Sequence, residues 1–165
     1  MPLYFAYGSN MDVDAMRARS PGARPLGPAR LARHRFGLMA DGHATVARHP
    51  RADVHGVLFE LTLADIPPLD RYEQVAKGLY AKASQPVIPA AGAARRALVY
   101  IGQAPIAAAP RVIPGYLEAI VAAAKAAGLP ADYVKGLERI GPSAYVEAAR
   151  PSAIKWRPKQ GQGRD

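Results

Sequence analysis

YFAYGSN, at residues 4–10, begins as an apolar strand and ends abruptly at a glycine, directly before helix-forming sequence. A strand that stops at a glycine presents consecutive backbone N–H groups at its C-terminal end, and such groups bind anions and carbonyl oxygens. The stretch therefore predicts a buried first strand at residues 3–7, whose end forms a site for a small charged ligand.

The sequence that follows predicts short strands and helices that do not alternate strictly. Gly56 lies in the most apolar strand and is expected to permit close approach of a neighbouring backbone. About six short strands with three or four helices favour an α+β domain with a curved or barrel-like sheet over a doubly wound parallel sheet. The predicted strands cover 3–7, 29–40, 43–49, 54–63, 79–88 and 95–101, and the predicted helices cover 12–19, 64–75, 116–127 and 132–140.

Length and composition indicate one globular domain. The chain has 165 residues, of which 50% are hydrophobic and 21% charged, within the ordinary range for globular proteins. We expect a single domain over residues 1–150, followed by a basic, flexible C-terminal tail over residues 151–165. We find no signal peptide and no run of about 20 apolar residues, so we expect a cytoplasmic protein with no membrane partner.

Several kinds of site are excluded or disfavoured by residue content. The chain has no cysteine, which rules out disulfides, thiolate zinc sites and a cysteine nucleophile, and it has no nucleotide-binding glycine motif. His43 and His49 share parity on one predicted strand, but such residues are more often half-exposed strand positions than metal ligands. We therefore expect no cofactor and no metal.

The net charge of +9 raises the alternative of nucleic-acid binding. Six arginines cluster between Arg17 and Arg35, but no aromatic residues interleave them as stacking platforms would require. We interpret the charge as a basic surface that attracts small anions and has no specific nucleic-acid partner.

Glu73 is the strongest candidate for a general base. It lies next to the apolar face that Leu69 and Tyr72 mark on the helix over 64–75, and Gly78 ends that region. Burial at this inner edge would raise the pKa of the carboxyl toward the range useful for proton transfer. The alternative interpretation is a solvated glutamate near a helix C-terminus.

Four segments together resemble the γ-glutamylcyclotransferase family. They are YFAYGSNM, GVLFEL, LDRYEQVAKGLY and PGYLEAIVAAAKAAGLPADYVKGL, and the similarity covers residues 3–145 in order. The resemblance implies a small mixed β-barrel flanked by helices, with a cavity at one mouth. It also implies a cofactor-independent enzyme that converts a small anionic γ-glutamyl amino acid or amine into 5-oxoproline and the free amino acid or amine.

The same resemblance implies roles for individual residues. Glu73 takes the place of the catalytic glutamate, and the implied substrate-binding residues are Tyr4, Phe5, Ala6, Tyr7, Gly8, Ser9, Asn10, Tyr80 and Tyr116. Gln74 departs from the family, which often has glycine directly after the glutamate. Relatives are compatible with a homodimer. A non-catalytic module that binds a small acid is the alternative function, and the identity of the leaving amine stays open.

Overall fold

The structure is a computed structural model that describes residues 1–140, so the predicted tail over 151–165 lies outside the described residues. The strands are β1 (Leu3–Ala6), β2 (Arg24–Leu38), β3 (Ala44–Glu60), β4 (Tyr80–Pro89) and β5 (Arg95–Gly102). The α-helices are α1 (Val13–Arg19), α2 (Ile66–Tyr72), α3 (Tyr116–Ala126) and α4 (Ala131–Ile140), and short 3₁₀ helices cover Ser9–Met11, Leu63–Asp65 and Val75–Lys77.

The strands close into a mixed barrel in the order β1-β3-β2-β4-β5. β1 runs antiparallel to β3, with Tyr4 opposite Phe59, and parallel to β5, where Tyr4 lies opposite Leu98. The other pairings are antiparallel, including the β4–β5 hairpin predicted around Gly92. The expected α+β class with a small mixed barrel and flanking helices is confirmed.

The number of strands was wrong: the described residues contain five rather than six. The segments predicted over 43–49 and 54–63 are both parts of β3, and β2 begins at Arg24 rather than at residue 29. The stretch between residues 49 and 54, which suggested a break between two strands, lies within β3 at a register shift. Pairing there passes from Ala32 opposite Asp53 to His34 opposite Arg48. Irregular pairing of this kind accommodates Pro50, which has no N–H group to donate to the ladder.

Gly56 allows β1 to lie against the middle of β3. A Cβ atom at this position would lie 2.1 Å from the carbonyl oxygen of Ala6 and 2.9 Å from the ring of Phe5. Both of those residues are completely buried. The close approach predicted for Gly56 is therefore confirmed, and it fixes the position of the strand that leads to Gly8.

The helices cover the barrel and place the ends of β1 and α2 side by side. Pro67 and Pro68 lie at the start of α2, where the missing N–H groups cost nothing. Gly128 has a φ of +72° and ends α3, and buried residues of both C-terminal helices join the core, including Ile120 and Leu137. No helix within residues 1–140 is long and apolar enough to cross a membrane.

Candidate functional site

A pocket of about 460 Å³, counting the open space at its mouth, lies where β1 ends. It is lined by six tyrosines, one glutamate and the short segment that follows the first strand. The lining residues are Tyr4, Tyr7, Gly8, Ser9, Asn10, His43, Ala44, Tyr72, Glu73, Tyr80, Tyr100 and Tyr116.

Eight of the ten predicted site residues meet at this pocket: Tyr4, Tyr7, Gly8, Ser9, Asn10, Glu73, Tyr80 and Tyr116. Phe5 and Ala6 do not line it, because they are fully buried in the core beside Gly56. The structure therefore brings the carboxylate that follows α2 and the glycine that follows β1 to the same cavity, although 65 positions separate Gly8 from Glu73 in the sequence.

Glu73 reaches the pocket because the chain turns sharply after α2. Its N–H donates to Leu69 O at 2.9 Å as the last helical hydrogen bond, and Gln74 then adopts a left-handed conformation with a φ of +53°. The carbonyl oxygen of Gln74 accepts from the N–H groups of Lys77 at 3.0 Å and Leu79 at 3.3 Å. Gln74 thus makes a turn that glycine would make with less strain.

Asn10 links Glu73 to the first strand. Its side chain is almost completely buried, and Nδ2 donates to the Tyr4 hydroxyl at 3.0 Å and to Glu73 Oε1 at 3.4 Å. Its Oδ1 accepts from the Arg19 guanidinium. A donor directed at a carboxylate favours the charged form of that carboxylate.

Two tyrosine hydroxyls hold the backbone of Ala44 as one wall of the pocket. Tyr116 accepts from the Ala44 N–H at 2.9 Å, and Tyr80 donates to the Ala44 carbonyl oxygen at 2.5 Å. Elsewhere in the lining, the Tyr72 hydroxyl lies 3.0 Å from Ser9 Oγ. The tyrosine side chains therefore fix two parts of the lining through hydrogen bonds to β3 and to the segment after β1.

The pocket tyrosines are held in their neutral form. Burial raises the pKa of each one, and the nearby Glu73 charge raises it further at Tyr4, Tyr7, Tyr72, Tyr80, Tyr100 and Tyr116. Their hydroxyls therefore stay protonated near neutral pH and do not add negative charge beside Glu73. Among the described lining residues, the only carboxylate is that of Glu73.

Sequence reasoning missed four lining residues: His43, Ala44, Tyr72 and Tyr100. Tyr72 was interpreted only as part of an apolar helix face, yet it is adjacent to Glu73, and that adjacency was an available signal. Tyr100 donates to Asp70 at 2.6 Å, a contact between β5 and α2 that no local pattern encodes. Asp41 fixes His43 through Nδ1 at 3.0 Å. Within residues 1–140, no three histidine or carboxylate side chains cluster as metal ligands would.

Comparisons with known proteins agree on one family. Residues 53–137 match the AIG2-like family. The chain is 31% identical over 153 residues to gamma-glutamylcyclotransferase of Mus musculus, covering 87% of this chain and 80% of the mouse protein. The protein of the same name from Homo sapiens is also 31% identical, with 87% and 81% covered. A solved structure of a gamma-glutamyl cyclotransferase superposes with a TM-score of 0.78 at 28% identity, covering 86% of this chain and 88% of the other.

Proposed function

This chain belongs to the γ-glutamylcyclotransferase family of enzymes, and on that premise we propose that it converts a γ-glutamyl amino acid or γ-glutamyl amine into 5-oxoproline and the free amino acid or amine. The observation that carries this proposal is the position of Glu73 in the same pocket as Gly8 and Ser9, with the Asn10 amide between them. The proposed base and the residues proposed to bind the anionic groups of the substrate then line one cavity.

The proposed reaction is an intramolecular aminolysis. The α-amine of the substrate attacks its own γ-carbonyl carbon, a five-membered lactam forms, and the bond from that carbon to the leaving nitrogen breaks. Two protons pass from the attacking nitrogen to the leaving nitrogen, so the reaction consumes no water. Holding the two reacting groups together supplies much of the rate, because well-oriented intramolecular reactions reach effective molarities of about 10⁵ M or more.

Glu73 is proposed to carry the protons. It removes a proton from the α-ammonium group, which cannot attack while protonated, and delivers a proton to the leaving nitrogen. General acid–base catalysis of this kind contributes about 10²–10⁴-fold. The backbone N–H groups of Gly8 and Ser9 are proposed to bind the α-carboxylate or the developing oxyanion.

The leaving group would extend toward the partly exposed mouth of the pocket. His43 lies there, with 24% of its side chain exposed, and its ring packs edge-on against Tyr116 at 5.5 Å between centroids. It is the only basic side chain among the described lining residues. A panel of γ-glutamyl amino acids and γ-glutamyl alkylamines would show which leaving groups this end of the pocket accepts.

Replacement of Glu73 by glutamine tests the proposal. We expect Glu73→Gln to bind 5-oxoproline nearly as well as the parent chain while turnover of γ-glutamyl-alanine falls by about 10²–10⁴-fold, the contribution of a general acid–base group. Release of 5-oxoproline and of alanine should be measured together, since equal amounts identify cyclisation.

Glu118→Gln is the matched control, because it removes the same charge from an exposed position at the start of α3. Full activity of Glu73→Gln would eliminate Glu73 as the base. Binding of 5-oxoproline without turnover of any γ-glutamyl compound by the parent chain would favour the non-catalytic binding module instead.

A further inference from the structure

Arg19 differs from the other arginines of the basic cluster in what it contacts. Arg17, Arg24 and Arg30 are exposed or half-exposed and pair with carboxylates. Arg19 is half-buried at the end of α1 and forms no ion pair within residues 1–140. Its guanidinium instead donates to Oδ1 of Asn10 and lies 3.9 Å from the centre of the Tyr72 ring.

The two contacts of Arg19 are with two residues adjacent to Glu73, one through a hydrogen bond and one in the chain. Asn10 accepts from Arg19 with Oδ1 and donates with Nδ2 to Glu73 Oε1 and to the Tyr4 hydroxyl. Tyr72 directly precedes Glu73, and its hydroxyl contacts Ser9 Oγ. Arg19 itself is not among the residues that line the pocket, so it reaches the pocket only through these neighbours.

The amide of Asn10 has to face in one direction for this arrangement to hold. An asparagine side chain carries an acceptor oxygen and a donor nitrogen on the same planar group. With the oxygen turned toward Glu73, two acceptors would face each other at hydrogen-bond distance. A guanidinium carries only donors and never loses its charge at ordinary pH, so it holds the oxygen on its own side and leaves the nitrogen toward Glu73.

The location of Arg19 is fixed by the end of α1. The hydroxyl of Ser20, the next residue, is buried and donates to the backbone oxygen of Asp65 at 3.0 Å. The side chain of Asp65 in turn accepts from the N–H groups of Gly22 and Thr62. These hydrogen bonds fix the backbone at the end of α1, from which the Arg19 side chain extends to Tyr72 at the end of α2.

We propose that Arg19 is a positioning residue for the cyclisation reaction: it holds the Asn10 amide in the orientation that donates to Glu73, and it stacks on Tyr72 to keep that ring in place beside Ser9. The inference rests on the proposed function, since it concerns the geometry of the same carboxylate. It assigns to one member of the basic cluster a role other than surface charge.

Replacement of Arg19 by methionine removes the donors while keeping an unbranched apolar stem. We expect Arg19→Met to lower kcat for γ-glutamyl-alanine by about 10²-fold, the scale seen when a group near the chemistry is misplaced by about 1 Å, with little change in KM. A loss confined to kcat would indicate that Glu73 is misplaced for the chemistry, whereas a loss in KM would indicate weaker substrate binding. Arg17→Met, which removes the same charge from the exposed face of the same helix, should behave like the parent chain.

A double-mutant cycle separates positioning from general stabilisation. If Arg19 acts through Asn10, Arg19→Met should lower kcat far less in an Asn10→Ala background than in the parent chain. Equal losses of kcat in both backgrounds would overturn the inference. If Arg19→Met does not fold, Arg19→Leu replaces it, since leucine also lacks a donor; a folded Arg19→Leu with the parent kcat would also overturn the inference.

The same experiment distinguishes failure of the inference from failure of the proposed function. A parent chain that forms no 5-oxoproline from any γ-glutamyl substrate would refute the proposed function and the inference with it. A parent chain that is active, beside an Arg19→Met variant that is equally active, would refute the inference alone.

Discussion

The hydroxyl of Tyr116 supports the pocket wall, so its removal should destabilise the fold. Tyr116 and Ala44 are 6% and 3% exposed, and the hydroxyl accepts the Ala44 N–H at 2.9 Å. Tyr116→Phe would leave that N–H buried without its acceptor. A buried unsatisfied donor costs about 1–3 kcal/mol, which for a protein of this length lowers Tm by about 2–12 °C.

Tyr133→Phe provides the matched control for this prediction. The Tyr133 hydroxyl is buried and makes no hydrogen bond of normal geometry within residues 1–140, although the His55 backbone is near enough to lower its pKa against the larger effect of burial. A buried hydroxyl without a well-placed partner destabilises the folded state, because it lost its hydrogen bonds to water on folding, and its removal eliminates that cost. Tyr133→Phe should therefore leave Tm unchanged or raise it slightly.

Calorimetry and urea unfolding of both variants would measure the difference, and kinetics would show its effect on the pocket. We expect Tyr116→Phe to raise KM for γ-glutamyl-alanine more than it lowers kcat, as loss of a ligand-positioning contact should. Equal Tm values for Tyr116→Phe, Tyr133→Phe and the parent chain would refute the reasoning, because the hydrogen bond to Ala44 would then contribute nothing to stability.

Two further predictions concern the turn after α2 and the buried tyrosines. Gln74→Gly should raise the free energy of unfolding by up to about 1 kcal/mol, because it relieves the left-handed strain at φ +53°; an unchanged or lower urea midpoint would contradict this. The raised tyrosine pKa values mean that the folded state keeps phenol protons which the unfolded chain releases near pH 10. Their stabilisation is complete below about pH 10 and is lost as pH rises, by up to about 1.4 kcal/mol per pH unit for each tyrosine. This prediction would be contradicted by urea midpoints that stay constant from neutral to strongly alkaline pH, together with tyrosinate absorbance that the folded chain already shows near pH 10.

The elements that could be predicted from the sequence are those specified by local chemistry. Prolines marked the start of α2, and glycines marked both ends of α3 and the β4–β5 hairpin, whereas α2 ends at Tyr72 rather than at the predicted residue 75. The apolar stripe of α3 gave its buried face. The break expected between residues 49 and 54 was wrong because pairing with β2 continues on both sides of a register shift. Such pairing depends on a distant strand, so no window of neighbouring residues reveals it.

The pocket shows the same division between local and distant information. Gly8, Ser9 and Asn10 follow one another and could be identified together, whereas their contacts with Tyr72 and Glu73 depend on where α2 ends relative to β1. Tyr100 enters the pocket only because the barrel closes between β1 and β5. Residues contributed by barrel closure are therefore the ones that sequence reasoning is least able to find.

Arg19 shows that one part of the missing information was nevertheless present in the sequence. Residues two positions apart on a helix point in nearly opposite directions, whereas residues three apart share a face. Arg17 and Arg19 therefore lie on different faces of α1, and Arg19 lies three residues after Met16, which is completely buried. The helical period of α1 thus distinguishes Arg19 from Arg17, which net charge alone had grouped together, and the hydrogen bond from Arg19 shows that its side of the helix faces Asn10.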